Sequence, residues 1–203
     1  MRERWVPLDA HDVDPNPFIQ FQRWFDEAEG EMAEREAVAL ATASREGAPS
    51  VRMVLLRWHD GATFGWYTNY ESRKGDDLAD NPRAALLWYC EPLGRQIRIE
   101  GPVETMSSAE SDAYFASRAR GSQIGARASY QSKPLLDRGE LERRVKEITN
   151  EFEGLDVPRP HYWGGYRLTP TRFEFWQHRD SRLHDRVVYV PDGSSWRCER
   201  QSP

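Results

Sequence analysis

The sequence predicts an α+β fold in which antiparallel β-structure dominates and helices lie at the periphery. Three observations predict it. Short β-prone segments recur along the chain with turn signals between them. Helices do not alternate regularly with those strands, as a doubly wound parallel sheet would need. Eight Trp, eight Tyr and eight Phe in 203 residues supply bulky side chains for one sizeable core.

The elements follow in order. Residues 1–16 read as an N-terminal arm, flexible or covering the active site, and residues 17–203 as a single domain. The domain starts with a helix near Pro17, where Asn16 can cap and Pro suits the first helical position. Phe18, Phe21, Phe25 and Ala28 give it one apolar face. Strand patterns then cover Ala37 to Ala43, Ser50 to Trp58 after a turn at Gly47-Ala48-Pro49, Thr63 to Asn69, Ala84 to Tyr89 and Gln96 to Glu104. Helices interrupt them. Ser72 can cap a short one running to about Ala79, and Ser107-Ser108-Ala109-Glu110 has capping-box spacing. Leu141, Val145, Ile148 and Phe152 mark a longer amphipathic helix that ends before Pro158 and Pro160. Strands return at Gly165 to Leu168, Phe173 to Gln177 and Arg186 to Val190, with Trp196 to Arg200 as a further short partner. Such an order suggests a barrel or sandwich.

Composition excludes several functions. The net charge of -5 argues against general nucleic-acid binding, though a local basic pocket for a small phosphate ligand fits within it. No apolar run of about 18 residues is present, so a membrane span is not expected. The N-terminus lacks an apolar signal core, and a cytoplasmic protein is expected. Cys90 and Cys198 belong to no CxxC pair; two idle thiols are the preferred reading over one disulfide. His11, His59, His161, His178 and His184 show no metal-ligand spacing, so no metal is expected. P-loop, GxGxxG and GxSxG patterns are absent.

Four groups of residues could carry chemistry. In Arg52-Met53-Val54-Leu55-Leu56-Arg57, strand alternation puts Arg52, Val54 and Leu56 on one face. Arg73 and Lys74 follow Tyr67-Thr68 and Ser72 in the first turn of a helix, where cations are disfavoured unless an anion docks there. Tyr114, Arg118 and Ser122 fall at i, i+4 and i+8, a helix face of phosphate donors if the helix continues past Gly121. Arg182, His184 and Arg186 point one way in an extended chain, an expensive grouping without an anion or an open pocket. Each group, taken alone, also reads as solvated surface charge.

Taken together, these motifs resemble the pyridoxine/pyridoxamine 5'-phosphate oxidase family, from about Pro17 to Pro203. The markers are Arg52 to Leu56, Tyr67-Thr68-Asn69 with Ser72-Arg73-Lys74, Tyr114-Phe115 with Ser117-Arg118, and Ser122 to Ala126. Further along come Gln131-Ser132, Trp163 to Arg167, and Glu174 to Gln177 with Arg182 to Arg186. The resemblance implies an FMN-binding split β-barrel with peripheral helices, working as a homodimer with FMN between subunits. It implies that Arg52, Met53, Val54, Leu55, Leu56, Arg57, Tyr67, Thr68, Arg73, Lys74, Gln96, Gln131, Ser132, Trp176 and Arg186 hold FMN. Tyr114, Arg118 and Ser122, helped by Arg57, would hold the substrate phosphate. Arg182, Leu183 and His184 would border the substrate ring, with Arg182 and His184 as the catalytic pair. The implied reaction oxidises pyridoxamine or pyridoxine 5'-phosphate to pyridoxal 5'-phosphate, with oxygen as acceptor and hydrogen peroxide as product.

The chain departs from the family pattern at several points. Arg57 stands where the family usually has Lys, and a planar fork is not a point charge. His178 stands for Gly, Arg127 for Trp and Ala119 for Pro. Arg2-Glu3-Arg4-Trp5 is a loose echo of a substrate-covering Arg-Arg-Glu-Tyr segment. Two other functions fit the same signatures: a related flavin oxidase of a larger aromatic substrate, as in phenazine biosynthesis, or a non-catalytic flavin- or pyridoxal-phosphate-binding protein.

Overall fold

The computed structural model describes residues 5–203, so Arg2, Glu3 and Arg4 of the N-terminal echo lie outside the described residues. Asn16 caps helix α1 (Pro17–Glu27), accepting from the Phe18 N–H at 2.9 Å. Phe18, Phe21 and Trp24 are buried from this helix, and Phe25 packs partly against them. Next come β1 (Ala37–Ala43), β2 (Pro49–Leu55), the two-residue β3 (Trp58–His59) and β4 (Phe64–Asn69). Helix α2 (Arg73–Asp80) leads to β5 (Arg83–Cys90) and the long β6 (Arg95–Thr105). Three helices follow: α3 (Ser108–Ser117), opened by the expected capping box between Ser107 and Glu110, α4 (Arg120–Ala128) and α5 (Arg138–Glu151). The chain ends in β7 (Trp163–Leu168), β8 (Arg172–Gln177), β9 (Asp185–Asp192) and β10 (Ser195–Gln201).

All strand pairings are antiparallel, and the main path runs β10-β9-β8-β6-β5-β1-β2. β6 makes the sheet curl. Its first half pairs with β8 as far as Glu100, and from Val103 it pairs instead with β7, which carries β4 and β3. The switch passes Gly101, where a Cβ would lie 2.0 Å from the Thr169 carbonyl oxygen, so only glycine fits. The result is a split barrel, one of the two architectures, barrel or sandwich, that the strand order suggested, and the one that the family resemblance implied.

The inner face is filled by alternate residues of the strands. Leu40, Leu86, Trp88, Ile97, Ile99, Phe173, Phe175 and Tyr189 are almost wholly inaccessible and meet the aromatic face of α1. Truncating one of these rings to Ala would cost about 3–5 kcal/mol. A second cluster of Phe115, Ile124, Val157 and Trp163 joins the helices to β7. Helix α5 buries no residue fully; only Ile148, beside Phe152 at its end, joins that cluster. Cys90 and Cys198 are both free thiols. No helix among the described residues is long and apolar enough to cross a membrane.

The outer face of the sheet is different. Val51 is 69%, Met53 62% and Tyr89 48% exposed. Met53 pairs with Ala39 and Ala39 with Leu87, so an apolar strip crosses β2, β1 and β5 without a cover from this chain among the described residues.

Candidate active site

Two adjoining cavities of about 390 and 220 Å³ lie where β2, β4, α3 and α4 meet, and both are walled by Tyr67, Thr68, Arg118, Gln131 and Trp163. The smaller also takes Met53, Val54, Leu55, Arg57, Lys74 and Tyr114, and the larger takes Ser122. No carboxylate lines either one among the described residues.

Lys74 is the deepest cation of this cleft, 7% exposed. Helix α2 can start so close because residue 75 is glycine; a Cβ there would sit 1.8 Å from the Tyr70 carbonyl oxygen. Ser72 precedes the helix, but its hydroxyl donates to the Asn69 carbonyl at 2.7 Å instead of capping. It accepts from Lys74 Nζ at 2.9 Å. Nζ also donates to Gln131 Oε1 at 2.5 Å, which takes a further bond from the Thr68 hydroxyl at 3.2 Å. Every one of these partners is neutral. Burial, reinforced by the nearby Arg52 charge, lowers the lysine pKa to about 8.

At the other end, Tyr67 and Tyr114 stack at 3.7 Å, with Trp163 parallel to both. The Arg118 guanidinium lies over the Trp163 ring at 4.6 Å. Its Nη1 is buried without a hydrogen-bond partner, and burial lowers its pKa. The geometry here corrects the expectation of one continuous helix face. Helix α3 ends at Ser117, Arg118 is extended, and a new helix begins at Arg120. Tyr114 and Arg118 therefore reach the cleft from the end of one helix, and Ser122 from the first turn of the next. Helix α4 starts without a side-chain cap hydrogen bond.

A second group lies elsewhere on the sheet. Gln96, Trp176 and Arg186 are direct cross-strand neighbours on β6, β8 and β9. Behind them Glu174, 2% exposed, accepts from Arg186 Nε at 2.9 Å and Nη2 at 3.0 Å, and from Arg98. Burial pushes this carboxyl up, but the Arg186 hydrogen bonds and the charges of Arg98 and Arg186 outweigh it and hold it below its ordinary value. The chain from Arg182 to Arg186 is not extended throughout as expected, because it leaves a turn at Arg182. Asp180–Arg182 form a 3-10 turn with Ser181 at φ 57° and Arg182 at φ 63°. Two successive left-handed non-glycine residues store strain of order 1 kcal/mol or more each, a feature that clusters at functional sites. His184 packs on Trp176 at 4.5 Å, and its Nδ1 accepts the Arg179 N–H at 3.1 Å. Burial and the charges of His178 and Arg182 lower its pKa, so the neutral ring carries its proton on Nε2.

The remaining expected residues divide. Arg52 is held inside by the Leu40 carbonyl at 3.0 Å, the Thr42 hydroxyl at 2.8 Å and Ser50, with Asp77 at 3.8 Å. Leu56 is a core residue. Arg73, Ser132 and Leu183 are exposed, Ser132 at φ 68°. Sequence reasoning gave no role to Trp163, Asn69 or Ser129, which wall the cleft, nor to Glu174, which fixes Arg186. Trp163 and Glu174 stood inside recognised motifs, but only the cross-strand register reveals their contacts.

β2 and β8 are separated by β1, β5 and β6, four inter-strand steps or roughly 19 Å along the sheet. Along that path the β2 wall of the cleft and Trp176 are not strand neighbours within one chain. Residues 25–152 match the family model described as pyridoxamine 5'-phosphate oxidase. Residues 163–203 match the one described as the pyridoxine 5'-phosphate oxidase C-terminal dimerisation region. The chain belongs to the pyridoxine/pyridoxamine 5'-phosphate oxidase family. It is thereby placed among oxidoreductases.

Relatives in this family are similar over nearly the whole chain. A pyridoxine/pyridoxamine 5'-phosphate oxidase of Bordetella petrii is 56% identical over 190 residues, covering 93% of this chain and 90% of the relative. One from a Cyanothece species is 51% identical over 201 residues, covering 98% and 94%. Among solved structures, PhzG from Burkholderia lata, in complex with tetrahydrophenazine-1-carboxylic acid, superposes with TM-score 0.91 at 32% identity, covering 98% of this chain and all of that one. A pyridoxamine 5'-phosphate oxidase-related, FMN-binding protein from Nostoc punctiforme shares the fold, with TM-score 0.73 at 18% identity, covering 92% and 97%.

Proposed function

We propose that the protein is a cytoplasmic, homodimeric FMN-dependent oxidase that converts pyridoxamine or pyridoxine 5'-phosphate to pyridoxal 5'-phosphate. The observation that carries this reading is the cleft of Arg57, Lys74 and Arg118, free of carboxylates in a chain of net charge -5. Lys74 is buried and Arg118 half-buried, each without a counter-charge, while Arg57 is exposed; the first two are costly unless an anion completes them. Arg57, Lys74 and Arg118 line one cavity with Thr68 and Gln131, and Arg118 also lines the second with Ser122, which gives donors for two phosphates, one of a cofactor and one of a substrate.

The donors fit a phosphate-bearing flavin. Lys74 with Thr68 and Gln131 would hold FMN at one end, alongside Met53 to Arg57 and Tyr67, with Arg73 and Ser132 at the mouth. Arg52 and Leu56 would act from behind, by fixing β2. Gln96, Trp176 and Arg186 would reach the same flavin from a second copy of the chain, whose outer sheet face would cover the apolar strip of Val51 and Met53. Bound FMN would supply a two-electron hydride acceptor, with oxygen as the final acceptor and hydrogen peroxide as its product.

The protein's own residues bind and orient. Arg118, Tyr114, Ser122 and Arg57 would fix the substrate phosphate, so that binding energy away from the reacting carbon holds the ring in place. Arg182 and His184, with Leu183 beside them, would border the ring. Neutral His184 can donate from Nε2 while the Arg179 amide holds Nδ1.

The likeness to PhzG supports a second reading, an oxidase of a larger, phosphate-free aromatic substrate. Arg118 with its buried, unpartnered Nη1 favours the phosphate ester. The test is anaerobic mixing of FMN-reconstituted protein with pyridoxamine 5'-phosphate. Flavin bleaching, then recovery in air with pyridoxal 5'-phosphate formed, is expected. Flavin that binds yet stays oxidised would overturn the substrate assignment.

A further inference from the structure

The segment after β8 opens with a ring, His178, that the assigned roles do not use. His178 stands against three other rings: Trp5 at 5.3 Å, Trp176 at 5.9 Å and His184 at 5.1 Å. Its backbone is fixed, the N–H donating to the Gly94 carbonyl at 2.8 Å. Gln177 reinforces this with side-chain bonds to the Leu93 and Gly94 carbonyls at 3.0 and 3.1 Å. Gly94 sits at φ +59°, and a Cβ there would come within 2.8 Å of His178 Cβ and 2.9 Å of the Trp5 ring. The β5–β6 turn thus forms a flat floor on which His178 and Trp5 meet edge to face.

The same stretch of N-terminal arm is tied to the His184 loop a second time. The Leu8 N–H donates to Asp185 Oδ2 at 3.1 Å, and Leu8 is buried. Asp9 accepts from Arg200 Nη1 at 2.6 Å, and Arg200 also bonds Asp185. Arg179 adds a 3.7 Å ion pair to that carboxylate. The arm therefore grips both ends of the loop that carries Arg182 and His184: Asp185 at one end and His178 at the other.

We infer that His178 is a positioning residue: its ring couples the N-terminal arm, through Trp5, to the orientation of His184. A glycine at 178 would remove the surface between Trp5 and His184 and leave the imidazole packed on Trp176 alone. Its proton-bearing Nε2 would then sample more directions, and orientation at the reacting centre is where small displacements act strongly. The role for His184 rests on the oxidase reading, whereas the coupling of Trp5 to His184 stands on packing alone.

The test uses full-length, FMN-loaded protein labelled with fluorotryptophan and with ring-¹³C histidine. The Trp5 fluorine resonance is assigned with Trp5→Phe, and the imidazole resonances with single His variants. In His178→Ala and His178→Gly, the Trp5 and His184 resonances should both move, and kcat for pyridoxamine 5'-phosphate should fall on the order of tenfold. Affinity for FMN should stay within about twofold. His178→Phe keeps a ring and should restore the Trp5 position and most of kcat. If the Trp5 or the His184 resonance of His178→Ala superposes on that of the parent protein, the inference is wrong. Should the parent protein fail to turn over B6 phosphates, the oxidase reading falls, yet the resonances still decide the coupling.

Discussion

Arg118 and Arg186 are both arginines of the candidate site, in opposite electrostatic states. Arg118 has an aromatic ring beneath it and a buried nitrogen without a partner. Arg186 is forked onto Glu174 by two hydrogen bonds, with Arg98 on the same carboxylate. The contrast extends to their regions. In the cleft, Lys74 meets only neutral oxygens. Around the Trp176 row, Glu174 holds Arg98 and Arg186, and Asp185 holds Arg200 and Arg179. The cleft is therefore electrostatically incomplete and suited to take up anions. The row's arginines are paired with carboxylates, so it is suited to place flat groups and a neutral imidazole.

If that contrast is right, the two regions break differently. Glu174→Ala should have the largest effect, on folding: it strands two partly buried guanidiniums and should cost about 3 kcal/mol in denaturant unfolding. Arg182→Ala should lower kcat about a hundredfold while FMN affinity changes little. Equal loss of both would assign Arg182 to cofactor binding. Lys74→Met should do the reverse, weakening FMN about ten- to a hundredfold through a lost charge-assisted bond. The apoprotein should not lose stability, because a buried charge is removed. The smallest effect is in pH. Lys74 titrates near 8 without its anion, and an anion favours the protonated form. FMN affinity should be flat below about pH 8 and decline above it, by up to about tenfold per unit, in fluorescence titrations. The Lys74→Met protein should lack that decline.

Much of this was legible in the sequence, for identifiable reasons. β1 was read to the residue because apolar Ala37 to Ala43 is bounded by polar and turn residues. The Ser107 capping box carries its own signal. The break between α3 and α4 was hidden because Ala119 is a good helix former, and the one local breaker, Gly121, lies beyond it, inside α4. The turn at Ser181 and Arg182 was hidden because neither residue is one that ordinarily takes a left-handed conformation. The electrostatic contrast was invisible for another reason. Whether an arginine is paired depends on register: Glu174 faces Arg98 on β6, and lies two residues along β8, on the same face, from the strand pair that aligns Trp176 with Arg186. No spacing within one segment reports that.

The central claim is that the cleft of one subunit and the Trp176–His184 region of another make one site. Subunit complementation tests it directly. One inactive variant would carry Arg118→Met with Lys74→Met, the other Arg182→Ala with His184→Ala. Each homodimer should be inactive, and co-expressed heterodimers should regain one intact site, about half of parent activity per dimer. Heterodimers as inactive as both parents would contradict the shared site and place both regions at separate tasks.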